Sequence, residues 1–285
     1  MKSLFCLMLC FCTSTIASAK PLNTACTEEW PNSWFAEGRN PKSNARIMLV
    51  GAIHHARPKS ISTWNVMCWM RSFDEIFVEI DPREKPVFKG PYPGYNCLGV
   101  SGTQLFNEAA AFSTRALLTK FAFYPNLEMT VDSYWSSDSL TNKVTALETV
   151  ESQLLISRNI PCNVQQRLKE IAAKDYASGK MTGIISRFVE AYDGSNLIEL
   201  NRSFKESFLF EGCECEDLIF DLFLKTRNTQ FTNSIEKSAN TEGRSILVIV
   251  GVGHLIGRDS VISMLRDKGF VLSGLKKSSA ISGIK

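Results

Sequence analysis

Histidine is scarce in this chain, with three residues among 285. No H-E-x-x-H segment is present, which excludes a thermolysin-like zinc site on its own motif. The net charge is only +3, and no long run of Lys or Arg follows the pattern of a phosphate backbone, so we expect no nucleic-acid partner. The chain also lacks low-complexity segments and repeats of solenoid period.

Residues 1–19, "MKSLFCLMLCFCTSTIASA", differ in character from the rest of the chain. One lysine precedes an apolar stretch that ends in Ala17-Ser18-Ala19, a pattern typical of a signal peptide cut before Lys20. The alternative is a transmembrane anchor, but the apolar part is shorter than the roughly 20 residues that a span needs. No later segment is apolar enough to span a bilayer, so we expect a secreted or periplasmic protein.

Six of the nine cysteines follow the predicted cleavage site. They are Cys26, Cys68, Cys97, Cys162, Cys213 and Cys215. An even number in an exported protein predicts disulfide bonds, although the sequence does not choose among the pairings. Only Glu214 separates Cys213 from Cys215, so we expect these two to bond elsewhere; a metal-thiolate site is the alternative, but it lacks the usual two-pair spacing.

The hydrophobic pattern predicts an α/β (or α+β) fold with a mixed central sheet covered by helices. Strand candidates are residues 46–53, 75–80, 127–131, 143–147, 245–250 and 270–273. The run "ILVIV" in the fifth of them is apolar without alternation, which is typical of a strand buried on both faces. Residues 20–45, with three prolines, are expected to form a polar loop. We expect residues 20–285 to form a single domain.

A helical region is predicted from about 150 to 240 within that domain. Val164, Leu168 and Ile171 recur at helical spacing, two further helical segments follow, and Asp193-Gly194 breaks the pattern. Residues 215–239 are expected to form one long helix. It would carry Leu218, Phe220, Leu222, Phe223 and Leu224 inward. Another helix is expected over residues 104–123.

Two predicted strands end in the same motif, a glycine followed three positions later by histidine. Gly51 precedes His54 in "LVGAIHHA", and Gly251 precedes His254 in "VIVGVGHLIG". In a sheet covered by helices, ligands bind at the carboxyl ends of the strands, and glycine there permits a close backbone approach. These two histidines are therefore expected to meet, whereas His55 is a supporting residue or a neighbour without a role.

Carboxylates end three further strand candidates. Glu79 lies among apolar residues in "EIFVEID", Glu148 ends "KVTALE", and Asp132 ends "MTVD". A buried carboxylate without a partner costs several kcal/mol, so Glu79 is expected to face a cation. Two histidines and one carboxylate suit Zn²⁺, Mn²⁺ or Co²⁺. The ordinary alternatives are a hydrogen-bonded structural histidine, and for Glu148 a place at the start of a helix.

These motifs together resemble the TraB/PrgY/GumN family, closest to its GumN branch. The resemblance rests on "LVGAIHHA", "IFVEID", "TVDSYWSSDSLTNKVTALETVESQL", the Arg227-Asn228 pair and "VGVGHLIG", in that order along the chain. The family includes the TIKI proteins, described as metal-dependent proteases of the cell surface.

The resemblance implies His54, Glu79 and His254 as ligands of a divalent metal, Mn, Co or Zn. It implies Glu148 or Asp132 as a general base and Arg227 as a residue that holds a carboxylate or the substrate carbonyl. Gly51, Gly251 and Gly253 are the structural glycines of the motifs.

The expected function is hydrolysis of peptide bonds in a peptide or protein substrate. Whether the protein is an enzyme at all stays open at this point. The alternative is an exported binding protein that uses the same residues to hold a peptide signal or a haem-like ligand. A third alternative is a structural protein held together by disulfides.

Overall fold

The structure is a computed structural model that describes residues 34–52, 72–80, 143–149, 152, 156–209 and 212–277. Seven of its segments are strands of one sheet. They are β1 (Trp34–Arg39), β2 (Arg46–Ala52), β3 (Glu75–Ile80), β4 (Val144–Glu148), β5 (Ser245–Gly251), β6 (Val271–Leu272) and β7 (Lys276–Lys277). Each strand that was predicted inside the described residues is present, with bounds that differ by at most one residue at either end.

The sheet is mixed, which confirms the predicted α/β class. Its strand order is β4-β3-β5-β2-β1-β6, and β7 also pairs with β1. The four strands from β4 to β2 are mutually parallel, whereas β1 runs antiparallel to β2, β6 and β7. Because β3, β5 and β2 are central and parallel, their carboxyl ends meet at one edge of the sheet.

The helices lie mainly between β4 and β5, where the helical region was predicted. They are α1 (Cys162–Ala177), α2 (Lys180–Asp193), α3 (Leu197–Glu206), α4 (Glu216–Phe220), α5 (Thr226–Ser238) and, after β5, α6 (Val261–Asp267). Short 3₁₀ turns cover Ile156–Asn159 and Val252–His254. Among the described helices, none is long and apolar enough to cross a membrane.

The predicted long helix over residues 215–239 is continuous but not uniform. A π-helical turn at Asp221–Lys225 separates α4 from α5, and at its end the Thr226 N–H donates to the Asp221 carbonyl. Leu218, which was expected to point inward, is exposed, and Ile219 is buried instead. The wider π turn shifts the inward face of the helix by a fraction of a turn relative to regular α periodicity.

The core fills both faces of the sheet. On one face, Ile47, Phe77 and Val248 pack against Phe231 and Ile235 of α5, with α6 beside them. Alternate residues of these strands, with one residue of β1 and one that precedes β3, form a second buried cluster on the opposite face. It comprises Phe35, Val50, Phe73, Ile76, Val78, Leu247 and Ile249. Residues 246–250 are therefore buried on both sides, as their unbroken apolar run predicted.

The prediction of a loop over residues 20–45 is wrong for β1. Trp34, Phe35 and Ala36 are buried, and the strand pairs with β2 over its full length. The Trp34 indole N–H donates to the Tyr192 carbonyl at the end of α2, 3.0 Å away. Residues 34–39 lack a clear alternation of apolar and polar side chains and include Gly38, so the sequence pattern did not predict a strand there. The strand is stabilised by its neighbours in the sheet and not by local propensity.

The expectation that Cys213 and Cys215 bond elsewhere is also wrong. The two form a disulfide, with Cα atoms 5.1 Å apart, inside the range that a disulfide can bridge. Gly212, with a φ of 79°, turns the chain immediately before the bridge. Cys162 at the start of α1 is disulfide-bonded as well. Residues 1–19, 104–123 and 127–131, for which a signal peptide, a helix and a strand were predicted, lie outside the described residues.

Candidate functional site

The carboxyl ends of four parallel strands converge at one edge of the sheet. In the strand register Ala52 lies opposite Gly251, and Ile80 lies opposite Glu148. Side chains alternate along a strand, so Glu79 points to the same face as Phe77, the face that α5 covers. The carboxyl ends of β2, β3, β4 and β5 thus lie at one edge of the sheet, as parallel strands require.

Arg227 of α5 joins the two glutamates at this edge. Its Nη2 donates to Oε1 of Glu79 at 2.5 Å and also to Oε1 of Glu148. Its Nε donates to Oε2 of Glu148 at 2.9 Å, so the contact with Glu148 is bidentate. Nη1 donates to the Phe223 carbonyl, 3.1 Å away in the π turn. Four of the five guanidinium N–H groups are thus used within the protein.

Glu79 connects this ion pair to the second glycine-histidine motif. Its Oε2 accepts the backbone N–H of Gly251 at 2.9 Å, which fixes the carboxylate against the end of β5. Its Oε1 lies 3.6 Å from Nε2 of His254. Oε1 of Glu79 therefore lies beside both Arg227 and His254, whereas Oε2 binds the backbone of Gly251.

His254 is buried at the end of the 3₁₀ turn that follows β5. Its Nδ1 lies 2.6 Å from Oδ1 of Asn228, the residue after Arg227 on α5. The ring packs on Phe231, with centroids 5.0 Å apart, and the Arg227 guanidinium lies 5.7 Å from the same Phe231 ring. One turn of α5 thus supports both the arginine and the histidine.

Burial sets the electrostatics of the cluster. Glu79, Glu148 and Arg227 are 7–8% exposed, and His254 is 4% exposed. Burial raises the pKa of the Glu148 carboxyl, as does the charge of Glu79, and the contacts with Arg227 only partly oppose this. Burial alone would lower the pKa of Arg227, but its bonds to the two carboxylates raise it on balance, so the guanidinium stays charged.

The motif glycines permit close approaches around the site. A Cβ atom on Gly51 would lie 2.8 Å from Cγ2 of Val252, and one on Gly253 would lie 2.5 Å from the Phe204 ring. Gly251 contributes its N–H to Glu79. The hydroxyl of Tyr192 donates to the Gly51 carbonyl at 2.8 Å and so ties the end of β2 to α2.

Comparison with known proteins adds one finding to this geometry. The model of the TraB/PrgY/gumN family matches residues 96–273, which is more than half of the chain. The chain belongs to the TraB/PrgY/gumN family. The matched range includes Glu148, Arg227 and His254 and begins after Gly51 and Glu79. Searches of curated proteins and of solved structures returned no match.

The structure thus brings together four residues that the TraB/PrgY/gumN resemblance implied for the site. They are Glu79, Glu148, Arg227 and His254. His54, His55 and Asp132 lie outside the described residues. Sequence reasoning did not assign a role to Asn228, although it stands in the Arg227-Asn228 pair of the family resemblance.

The TraB/PrgY/gumN resemblance also implied a divalent metal, and two of the three implied ligands, Glu79 and His254, lie among the described residues. Within the described part of the chain no three His, Cys, Asp or Glu side chains form a metal-binding group. Two donors are present, because Nε2 of His254 and Oε1 of Glu79 lie 3.6 Å apart. Two ligands about 2.1 Å from a tetrahedral metal lie about 3.4 Å from each other, which is close to this separation.

Proposed function

We propose that this TraB/PrgY/gumN protein is an exported, metal-dependent hydrolase of peptide bonds. His54, Glu79 and His254 bind the metal, which is Mn²⁺, Co²⁺ or Zn²⁺. The observation that carries the proposal is the orientation of His254: Nδ1 is engaged by Asn228, and Nε2 faces the Glu79 carboxylate at 3.6 Å. A buried imidazole nitrogen and a buried carboxylate oxygen that face each other favour a shared cation.

A metal held there would supply Lewis acidity and would lower the pKa of bound water toward about 7. Glu148 is the proposed general base, because burial raises the pKa of its carboxyl group and a higher pKa makes the carboxylate a stronger base. Asp132 is the alternative base.

Arg227 acts in this proposal as the group that holds the carboxylates. Of the two roles the resemblance implied, a carboxylate partner or a substrate-carbonyl partner, the contacts favour the first, because four of its five N–H groups bind Glu79, Glu148 and Phe223. The guanidinium keeps two buried negative charges close together, which fixes Glu79 beside His254.

Export is the proposed localisation. It is supported by the signal-like residues 1–19 and by the disulfide bonding of Cys162, Cys213 and Cys215, because disulfides persist in oxidising compartments. We also propose that the protein belongs to the GumN branch of the family and is related to the TIKI proteases. The substrate would then be an extracellular or periplasmic peptide or protein.

The test compares two glutamine variants on the same strand. Glu79→Gln removes the charge of the proposed ligand, whereas Glu75→Gln removes a carboxylate four residues away that pairs with Arg244 at 2.8 Å. Wild type and Glu75→Gln should retain metal after purification with Mn²⁺, Co²⁺ or Zn²⁺ and should cleave members of a peptide library. Glu79→Gln should lose both properties while keeping the fold.

Equally low metal content in wild type and Glu79→Gln with all three ions would overturn the metal site. Metal retention without cleavage of any peptide would overturn the hydrolase and leave a binding protein.

A further inference from the structure

Asn228 is bound at both ends of its side-chain amide. It is 2% exposed. Its Nδ2 donates to the Asp259 carbonyl at 2.7 Å, in the loop between the His254 turn and α6. Its Oδ1 lies 2.6 Å from Nδ1 of His254.

These two contacts determine which histidine nitrogen carries the hydrogen. A backbone carbonyl only accepts hydrogen bonds, so the amide atom facing Asp259 is the NH₂ group. The atom facing His254 is then the amide oxygen, which also only accepts. The short contact therefore requires a hydrogen on Nδ1, and a neutral imidazole with Nδ1–H carries its lone pair on Nε2.

We infer that Asn228 is a positioning residue that fixes His254 as the Nδ1–H tautomer and directs the Nε2 lone pair toward Glu79. The tautomer follows from the contacts alone. Its consequence for metal binding rests on the proposed function, because a histidine binds metal through its lone-pair nitrogen.

Consecutive positions on α5 give the site its two supports. Neighbouring residues on a helix point about 100° apart, since a turn holds 3.6 residues. Arg227 accordingly reaches Glu79 and Glu148, while Asn228 reaches His254 and the Asp259 carbonyl. Phe231, one turn later, packs against the imidazole and limits its rotation. The same helical turn thus sets both the carboxylates and the histidine tautomer.

The scarcity of histidine makes the tautomer directly measurable. The full chain has three imidazoles, so labelling histidine with nitrogen-15 gives at most three ring systems in a spectrum that correlates ring nitrogens with ring carbon-bound protons. A purification tag without histidine keeps this count. The His254→Gln variant assigns the signals, and the spectra are recorded at alkaline pH without metal. The wild type should show the Nδ1–H form for His254.

Three variants separate positioning from a structural role. Asn228→Leu keeps the side-chain shape but removes the acceptor, so His254 should shift toward the Nε2–H form. Asn228→Asp loses the bond to the Asp259 carbonyl but returns an acceptor to the position opposite Nδ1, so it should restore Nδ1–H. Thr232→Val is the control, because Thr232 is buried on the same helix and bonds to Met264 instead of His254. It should leave the tautomer unchanged.

A metal titration provides the second readout. Asn228→Leu should weaken affinity for a divalent ion by about 10–100-fold, the usual effect of losing a partner behind a histidine ligand. Thr232→Val should not weaken it. An Nε2–H form in wild type, or an Nδ1–H form that persists in Asn228→Leu, would overturn the inference. A wild type that binds no metal but shows Nδ1–H would overturn the proposed function and support the role of Asn228.

Discussion

The guanidinium of Arg227 lies 2.5 Å from Oε1 of Glu79, although 148 positions separate the two residues. The nitrogen that makes this contact, Nη2, also donates to Oε1 of Glu148. A helix in the second half of the chain thereby holds two carboxylates that arrive on neighbouring strands. The site depends on this contact because the two negative charges would otherwise repel each other in a buried setting.

Removal of the Arg227 charge should therefore destabilise the whole fold. Arg227→Met leaves two buried carboxylates without this partner, which should lower the free energy of unfolding by about 3–5 kcal/mol. Urea denaturation at neutral pH measures the change. Arg244→Met is the matched control, since Arg244 pairs with Glu75 at a more exposed position and should cost only about 0–1 kcal/mol. Equal costs for the two variants would contradict the account.

The raised pKa of Glu148 predicts a pH-dependent stability difference. Between its ordinary value of 4.5 and the higher folded value, the native state binds more protons than the unfolded state. This contribution to stability is complete below 4.5 and is lost as the pH rises through the folded pKa. The unfolding free energy of wild type minus that of Glu148→Gln should fall over this window. A difference that grows with pH would show that Arg227 outweighs burial.

Substitution of Gly253 should lower the stability of the protein, because a Cβ atom there would collide with the Phe204 ring. The Cβ of Gly253→Ala would lie 2.5 Å from the Phe204 ring, so the crowded site should lose about 1–3 kcal/mol of stability. Phe204→Leu removes the contacting ring atoms, and a double-mutant cycle should show a coupling of about 0.5–3 kcal/mol.

Gly183→Ala serves as the control for the glycine change. On α2 its Cβ would meet only Arg187 Nη1 at 3.9 Å, so it should stabilise the protein by about 0.5–1 kcal/mol. Thermal melts measure all four variants. Additive effects of Gly253→Ala and Phe204→Leu would contradict the close packing.

The sequence predicted the elements whose signal is local. The unbroken apolar run of β5 predicted a strand buried on both faces, and Val164, Leu168 and Ile171 predicted α1. The strand-end motifs placed Glu79 and His254 at one edge, because parallel strands share an edge for their carboxyl ends.

Strands and side-chain contacts that depend on residues far away in the sequence could not be predicted from local patterns. β1 owes its burial to β2 and to the contact between Trp34 and Tyr192. The amide of Asn228 meets His254 only after α5 packs on the sheet, and an asparagine within a helix carries no signal for such a contact. The spacing of Cys213 and Cys215 suggested separate partners, whereas the local turn brings them together.

The most direct test of the metal site is an anomalous-scattering map from crystals soaked in Mn²⁺, Co²⁺ or Zn²⁺. The account predicts one metal peak about 2.1 Å from Nε2 of His254 and from a Glu79 carboxylate oxygen, with a His54 nitrogen as a third ligand. A map with no peak in bonding distance of His254 and Glu79, or with metal bound through Nδ1 of His254, would contradict it.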